Sequence, residues 1–175
     1  MDLLKQRIYT AQLNHTILHL NRNDFIKQAG SIDTNLYLIK SGTLRVYNII
    51  DSEEQCLYFG HKDSAITAID SFFSEKRSDY FIQAIKKAEV IVIQKNTFME
   101  FINSEKENLQ LWQAILVEII QHHIERGQDL LTTTSADRYT RLMKRAPYLF
   151  QEFPHKYIAS YLRMSPETLS RLKKS

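Results

Sequence analysis

A chain of 175 residues with 43% hydrophobic and 25% charged residues holds enough apolar side chain for one ordinary core or two small ones. No apolar run approaches the roughly 20 residues of a membrane span, and Lys5, Arg7, Asn14, His15 and His19 interrupt the N-terminal stretch, so neither an anchor nor a signal peptide is expected. Cys56 is the only cysteine, which excludes an internal disulfide and any cluster or zinc site built on several thiolates.

Taken in chain order, short segments rich in β-branched, aromatic and leucine residues come first. The expected strands are Thr16–Leu20, Phe25–Gln28, Leu36–Ile39, Thr43–Ile50 and Gln55–Phe59, and Tyr80–Ile85 and Glu89–Ile93 continue the series. Turn chemistry separates them at Asn21–Asp24, Ala29–Ser31, Ser41–Gly42 and Asp51–Glu54. Strands this closely spaced leave no room for crossover helices, so an antiparallel sandwich or small barrel is expected.

The period then changes. Asn96–Ile102 suits a short helix, and Ser104–Leu131, free of proline and with no glycine before Gly127, suits a long one. Leu109, Trp112, Leu116, Ile119, His123, Arg126 and Leu130 recur at alternating gaps of three and four, the spacing of a coiled-coil seam. A second apolar set (Leu111, Ile115, Ile120, Ile124 and Leu131) widens the stripe. Periodicity suits either of two arrangements: one face on the chain's own β domain with another on a partner helix, or a single amphipathic helix on its own core.

A polar run, Thr132–Ser135, supplies an N-cap at Thr134 or Ser135 and marks a boundary. Helices are expected beyond it at Ser135–Phe150, His155–Tyr161 and Pro166–Lys174. From Ser135 to Ser175 the chain carries nine basic residues (Arg138, Arg141, Lys144, Arg145, Lys156, Arg163, Arg171, Lys173 and Lys174) against Asp137, Glu152 and Glu167. A net +6 there, on a body of net −3, suggests a polyanionic partner.

The end of the chain has the pattern helix, tight turn, helix. Ile158, Ala159 and Leu162 share one face, and Ala159 is small where a second helix must approach. Ser165 suits an N-cap, Pro166 the first helical position, and Leu169 and Leu172 the inward side. Glu167, Thr168, Ser170, Arg171 and Lys174 are left outward. Arginine can fork onto guanine, glutamate can accept from cytosine, and lysines suit phosphate. A two-helix cap on a helical domain is the bland alternative, and the basic charge argues for DNA.

Ile158-Ala159-Ser160-Tyr161-Leu162 followed by Met164-Ser165-Pro166-Glu167-Thr168-Leu169-Ser170-Arg171 closely resembles the DNA-binding end of Crp/Fnr regulators. Phe25–Gly30 and Leu36–Tyr47 resemble the opening of that family's cyclic-nucleotide-binding β-roll, with Gly30 and Gly42 at turns needing positive φ or close backbone approach. The resemblance covers nearly the whole chain. It implies an α+β fold: an antiparallel, jelly-roll-like β-roll sensor domain over 1–103, a dimerisation helix and hinge over 104–134, and a helix-turn-helix domain with a truncated wing over 135–175. It implies a cytoplasmic, non-enzymatic, dimeric transcription regulator whose partners are double-stranded DNA, a second copy and RNA polymerase, with no membrane. The implied DNA-binding set is Ser165, Glu167, Thr168, Ser170, Arg171, Lys173 and Lys174. The implied dimer set is Leu109, Trp112, Leu116, Ile119, His123 and Leu130.

The sequence departs from the family at the phosphate-binding cassette, a glycine-glutamate pair followed by arginine and serine or threonine. Anchored on Gln83-Ala84 and Ala88-Glu89-Val90, an ungapped match puts Thr67 and Ala68 at the first pair and Ser78 and Asp79 at the second. Asp79 would repel a phosphate, and Ala68 offers no acceptor for a ribose hydroxyl. The cyclic-nucleotide site therefore reads as degenerate: Ala68, Asp70, Arg77, Ser78 and Asp79 mark the candidate pocket, for another effector or for none; no cofactor is expected, and cyclic AMP and cyclic GMP are not expected to bind. Pro166 also replaces a base-contacting arginine of the best-known members. The rival reading is a ligand-responsive protein-interaction module that does not read DNA. Enzymatic motifs are absent.

Overall fold

The structure is a computed structural model describing residues 2–174. A short helix, α1 (Asp2–Thr10), precedes eight strands: β1 (Thr16–Leu20), β2 (Phe25–Lys27), β3 (Leu36–Ser41), β4 (Leu44–Ile50), β5 (Glu53–Gly60), β6 (Ala65–Ile66), β7 (Phe81–Ala84) and β8 (Ala88–Ile93). A one-and-a-half-turn helix, α2 (Ile69–Ser74), interrupts them after β6. Then come α3 (Lys95–Ser104), α4 (Lys106–Leu131), α5 (Ser135–Arg145), α6 (Leu149–Glu152), α7 (His155–Tyr161) and α8 (Pro166–Leu172).

The strands form two four-stranded sheets, in the orders β1-β8-β3-β6 and β2-β7-β4-β5, and every pairing is antiparallel. This is the β-roll with a C-terminal helical domain that the sequence implies. Asp51 and Ser52 both have positive φ, at 52° and 65°, and close the β4–β5 hairpin in two residues. That is the backbone of a type I′ turn, whose twist matches that of the flanking strands. Glu53 and Glu54 therefore belong to β5 rather than to the turn. Gly42 is at φ 84°, and a Cβ there would stand 2.2 Å from the Lys87 carbonyl oxygen, so only glycine fits.

Between the sheets lie Leu44, Ile82, Ala84 and Val90, none with any exposed surface. A second cluster joins the outer side of the roll to the helices through Phe72, Phe98, Ile102, Trp112 and Ile115. α1 joins this cluster with Leu4 and Ile8, one turn apart. The sequence reading has no helix there. It is held by a distant partner: Arg7 donates to Asn108 Oδ1 at 2.5 Å and pairs with Glu105.

Two expected helices are altered by identifiable residues. Glu105 is extended (φ −142°) and separates α3 from α4. The helix expected over Ser135–Phe150 ends at Arg145, because Pro147 has no N–H and its ring collides with the carbonyl four residues back. The chain resumes as α6. Thr134 is the N-cap of α5 and accepts from the Asp137 N–H at 3.1 Å.

The third cluster sets the position of the helical domain. Leu142, Leu149, Phe153, Tyr157, Ile158, Tyr161, Leu162 and Leu169 pack with Cys56, Phe59 and Ile85 of the roll.

Candidate nucleic-acid interface and effector cavity

α7 and α8 are the two arms of the helix-turn-helix. The inward face of α7 is buried at Tyr157, Ile158, Ala159 and Tyr161. Its turn is made by Arg163 at φ 51°, with the Met164 N–H reaching back to the Ala159 carbonyl at 3.0 Å. Ser165 caps α8 by accepting from the Thr168 N–H at 3.2 Å, and Pro166 occupies the first turn. Leu169 is completely buried and anchors α8 on α5 and α7, while Leu172 is half-buried.

The anchoring leaves a polar outer face. Ser165, Glu167, Ser170, Arg171, Lys173 and Lys174 are exposed, and Thr168 is half-buried with its hydroxyl 3.2 Å from that of Ser165. Lys173 Nζ lies 2.8 Å from His155 Nε2, which ties the two arms together at their outer ends. Backbone N–H groups at the start of α8, helped by Ser165 and Arg171, hold the Glu167 carboxyl below its usual value. This places a fixed negative charge at the leading end of an otherwise basic helix.

α7 is seated on β5, an edge strand of its sheet. The Ser160 hydroxyl accepts from the Cys56 N–H at 2.9 Å and donates to the Glu54 carbonyl at 2.5 Å. Arg45 of the roll, 3% exposed, lies 3.9 Å from the ring centre of Tyr47 and 4.1 Å from that of Tyr157. Phe59 meets Phe153 and Tyr161. From α4, Arg126 donates to the Cys56 carbonyl at 2.9 Å and covers the Tyr161 ring at 4.7 Å. Sequence reasoning missed Arg45, Arg126 and Ser160 as contacts between domains, since each joins elements far apart in the chain.

The second feature is a cavity of about 140 Å³ between the roll and α4. Leu36, Leu38, Phe98, Tyr58 and Tyr80 line it, and α4 contributes Trp112, Ile115, Ile119 and His123. None of the five expected pocket residues lines it. Ala68 and Ser78 are buried elsewhere, and Asp70, Arg77 and Asp79 are exposed. The hydroxyl of Ser78 accepts from the Tyr80 N–H at 3.1 Å, and its carbonyl accepts from Lys27 Nζ at 3.0 Å. That lysine is 3% exposed and also reaches the Tyr80 carbonyl at 2.7 Å, so it occupies the region itself. Burial lowers the Lys27 pKa, which Asp70, Asp33 and Asp79 partly offset. The neighbours Thr67, Ile69 and Tyr80 face the cavity instead.

The expected dimer set also divides. Trp112 is 9% exposed and packs edge-on to Phe98 at 5.1 Å, so it belongs to this chain's own core. Ile119 and His123 line the cavity, and Leu116 packs partly against the same core. Leu109 is 38% exposed. Val117, Ile120, Ile124 and Leu131 face outward at 52%, 58%, 56% and 86% exposure, and their gaps of three, four and seven make a second seam. Of these only Ile120, Ile124 and Leu131 stand in the second apolar set of the sequence.

Among the described residues no helix is long and apolar enough to cross a membrane, and no group of three or more His, Cys, Asp or Glu could share a metal ion.

A family model of the cyclic nucleotide-binding domain matches residues 17–105. Among solved structures, the chain is similar to FixK2 from Bradyrhizobium japonicum at 14% identity and TM-score 0.78, over 93% of this chain and 84% of that one. It is similar to the c-di-GMP responsive global regulator CLP of Xanthomonas campestris at 13% identity and TM-score 0.71, over 99% and 90%. It is also similar to a CooA mutant from Carboxydothermus hydrogenoformans at 14% identity and TM-score 0.71, over 99% and 78%. No curated protein matches the sequence.

Proposed function

We propose that this chain, which belongs to the cyclic nucleotide-binding domain family and has the Crp/Fnr fold, is a dimeric transcription regulator that reads DNA with α8. The observation carrying the reading is the outer face of α8. Leu169 anchors a capped helix whose Glu167, Ser170, Arg171, Lys173 and Lys174 all face outward. A helix held this way by its partner can lie in the major groove with its N-terminal side chains at base edges. Arg171 suits guanine, Glu167 suits the amine of cytosine, and Lys173 and Lys174 suit phosphates.

The second copy is the occupant for the Val117–Ile120–Ile124–Leu131 stripe. Four large aliphatic side chains left outward at heptad spacing match a parallel partner helix with the same stripe. Two chains paired there would present two α8 helices to a pseudo-palindromic site with half-sites about 34 Å apart. The roll, with its cavity against the same helix, is the sensor. RNA polymerase is the further partner this reading implies.

The experiment is fluorescence anisotropy of labelled random duplex DNA against the full chain over a range of salt, with sedimentation in parallel. Dimers binding with an affinity that falls linearly in log salt support the reading. A monomer that does not bind DNA at low salt favours a protein-interaction module instead.

A further inference from the structure

The cavity has mostly carbon walls and three polar side chains that make no hydrogen bond among the described residues. Leu36, Leu38, Phe98, Trp112, Ile115 and Ile119 supply most of its surface. Tyr58, Tyr80 and His123 also line it, and none of their side chains makes a hydrogen bond among the described residues. We propose that this cavity binds a small, uncharged, mostly apolar molecule carrying a single hydroxyl or carbonyl oxygen, rather than a cyclic nucleotide. The proposal rests on the reading of the roll as the sensor, and its test involves no DNA.

Size and charge select this class. An apolar cavity of about 150 Å³ stays dry and takes benzene, and this one is of similar size at about 140 Å³. A cyclic nucleotide brings a phosphate, a ribose and a purine, and the phosphate needs a cation or several N–H donors. Among the described residues Lys5 is the one ammonium or guanidinium at the lining, and it is held by Asp63 at 2.7 Å. Burial lowers the pKa of His123, with help from Arg126, which disfavours a charged ring at the cavity. An ionised ligand would therefore lose its hydration without gaining a partner. An apolar body gains from leaving water, and one oxygen suffices to satisfy a tyrosine hydroxyl.

Trp112 is the only tryptophan in the chain and lines the cavity, so its emission reports occupancy directly. The probes are toluene, benzyl alcohol and cyclic AMP, titrated into the full chain with emission and thermal unfolding as readouts. Toluene and benzyl alcohol should shift the emission saturably with dissociation constants of about 1 mM or tighter and raise the melting temperature. Cyclic AMP should do neither at tenfold higher concentration. The double variant Tyr58→Phe, Tyr80→Phe keeps the cavity and removes both hydroxyls. It should weaken benzyl alcohol about tenfold and leave toluene unchanged. Ala65→Leu, which adds bulk at the lining, should weaken both. The proposal is overturned if cyclic AMP binds more tightly than either aromatic probe, or if the aromatic probes give only a linear, unsaturable response. It is likewise overturned if the tyrosine variant weakens toluene as much as benzyl alcohol. The tyrosine variant preserves packing, so it decides the matter should Ala65→Leu fail to fold.

Discussion

The hydroxyl of Ser160 accepts from the N–H of Cys56 at 2.9 Å, so the first arm of the helix-turn-helix is hydrogen-bonded to the open edge of the roll. An edge strand leaves backbone donors and acceptors unpaired. Here one small residue satisfies both kinds, since the same hydroxyl donates to the Glu54 carbonyl. Ser160→Ala should lower the unfolding free energy by about 1–2 kcal/mol, the cost of stranding a half-buried amide. Urea unfolding followed by far-UV dichroism measures it. A variant as stable as the parent would mean that water replaces the contact at no cost.

The joint between α4 and α5 is charged and buried. Asp129, 1% exposed, meets Arg141 at 2.7 Å and Arg145 at 2.5 Å. Asp129→Asn keeps the shape and removes the charge that both guanidiniums face. Both arginines are partly exposed, so the expected loss is about 2–3 kcal/mol, below that for a fully buried pair. Denaturant midpoints check this, and the variant should also be cut faster by protease between α4 and α5.

The two faces of α4 should respond in opposite ways. Trp112→Ala empties a core site and should cost about 3–5 kcal/mol of stability. Ile120→Glu with Ile124→Glu alters two exposed positions and should leave each chain folded while abolishing the dimer. Sedimentation and thermal unfolding on the same samples separate these effects. A dimer surviving the double glutamate variant would mean that the chains pair elsewhere.

Acid should weaken the fold before the carboxylates titrate. Burial, then Arg145 and His123, lower the pKa of His122, against a smaller upward pull from Glu125; burial and Arg126 lower that of His123. For a histidine shifted downward, the unfolded chain takes up protons first, so the stabilising effect is full above about pH 6.5. It is lost as the pH falls from there through the lowered folded values. Urea midpoints should drop between pH 7.5 and pH 5, and His122→Gln should flatten that slope. A profile flat down to pH 5 in the parent would contradict the shifts.

Much of the roll was legible because strand signals are local: β-branched runs, an Asp51-Ser52 turn and glycines where only glycine fits. The capped start of α8 was equally plain in Ser165-Pro166. The seam on α4 was not. Trp112, Leu116, Ile119 and His123 on one face and Val117, Ile120 and Ile124 on another both satisfy gaps of three and four, and only the packed roll decides which face is covered. The cavity was hidden for a related reason. Its walls come from α1, β3, β4, β5, β6, α2, α3 and α4, whereas the cassette positions Ala68 and Ser78 lie close in sequence and do not line it. A buried lysine, Lys27, fills the place where the linear pattern looked for a phosphate.

The central claim, that α8 reads bases from a dimer, is tested most directly by selecting binding sites from random duplex DNA with the parent chain and with Arg171→Ala. The parent should enrich a pseudo-palindrome whose half-sites lie about 34 Å, one helical turn, apart. Arg171→Ala should bind that site about 1–3 kcal/mol more weakly and lose preference at one position in each half-site. Selection that enriches no sequence with the parent, or the same sequence with undiminished affinity for the variant, would contradict the account.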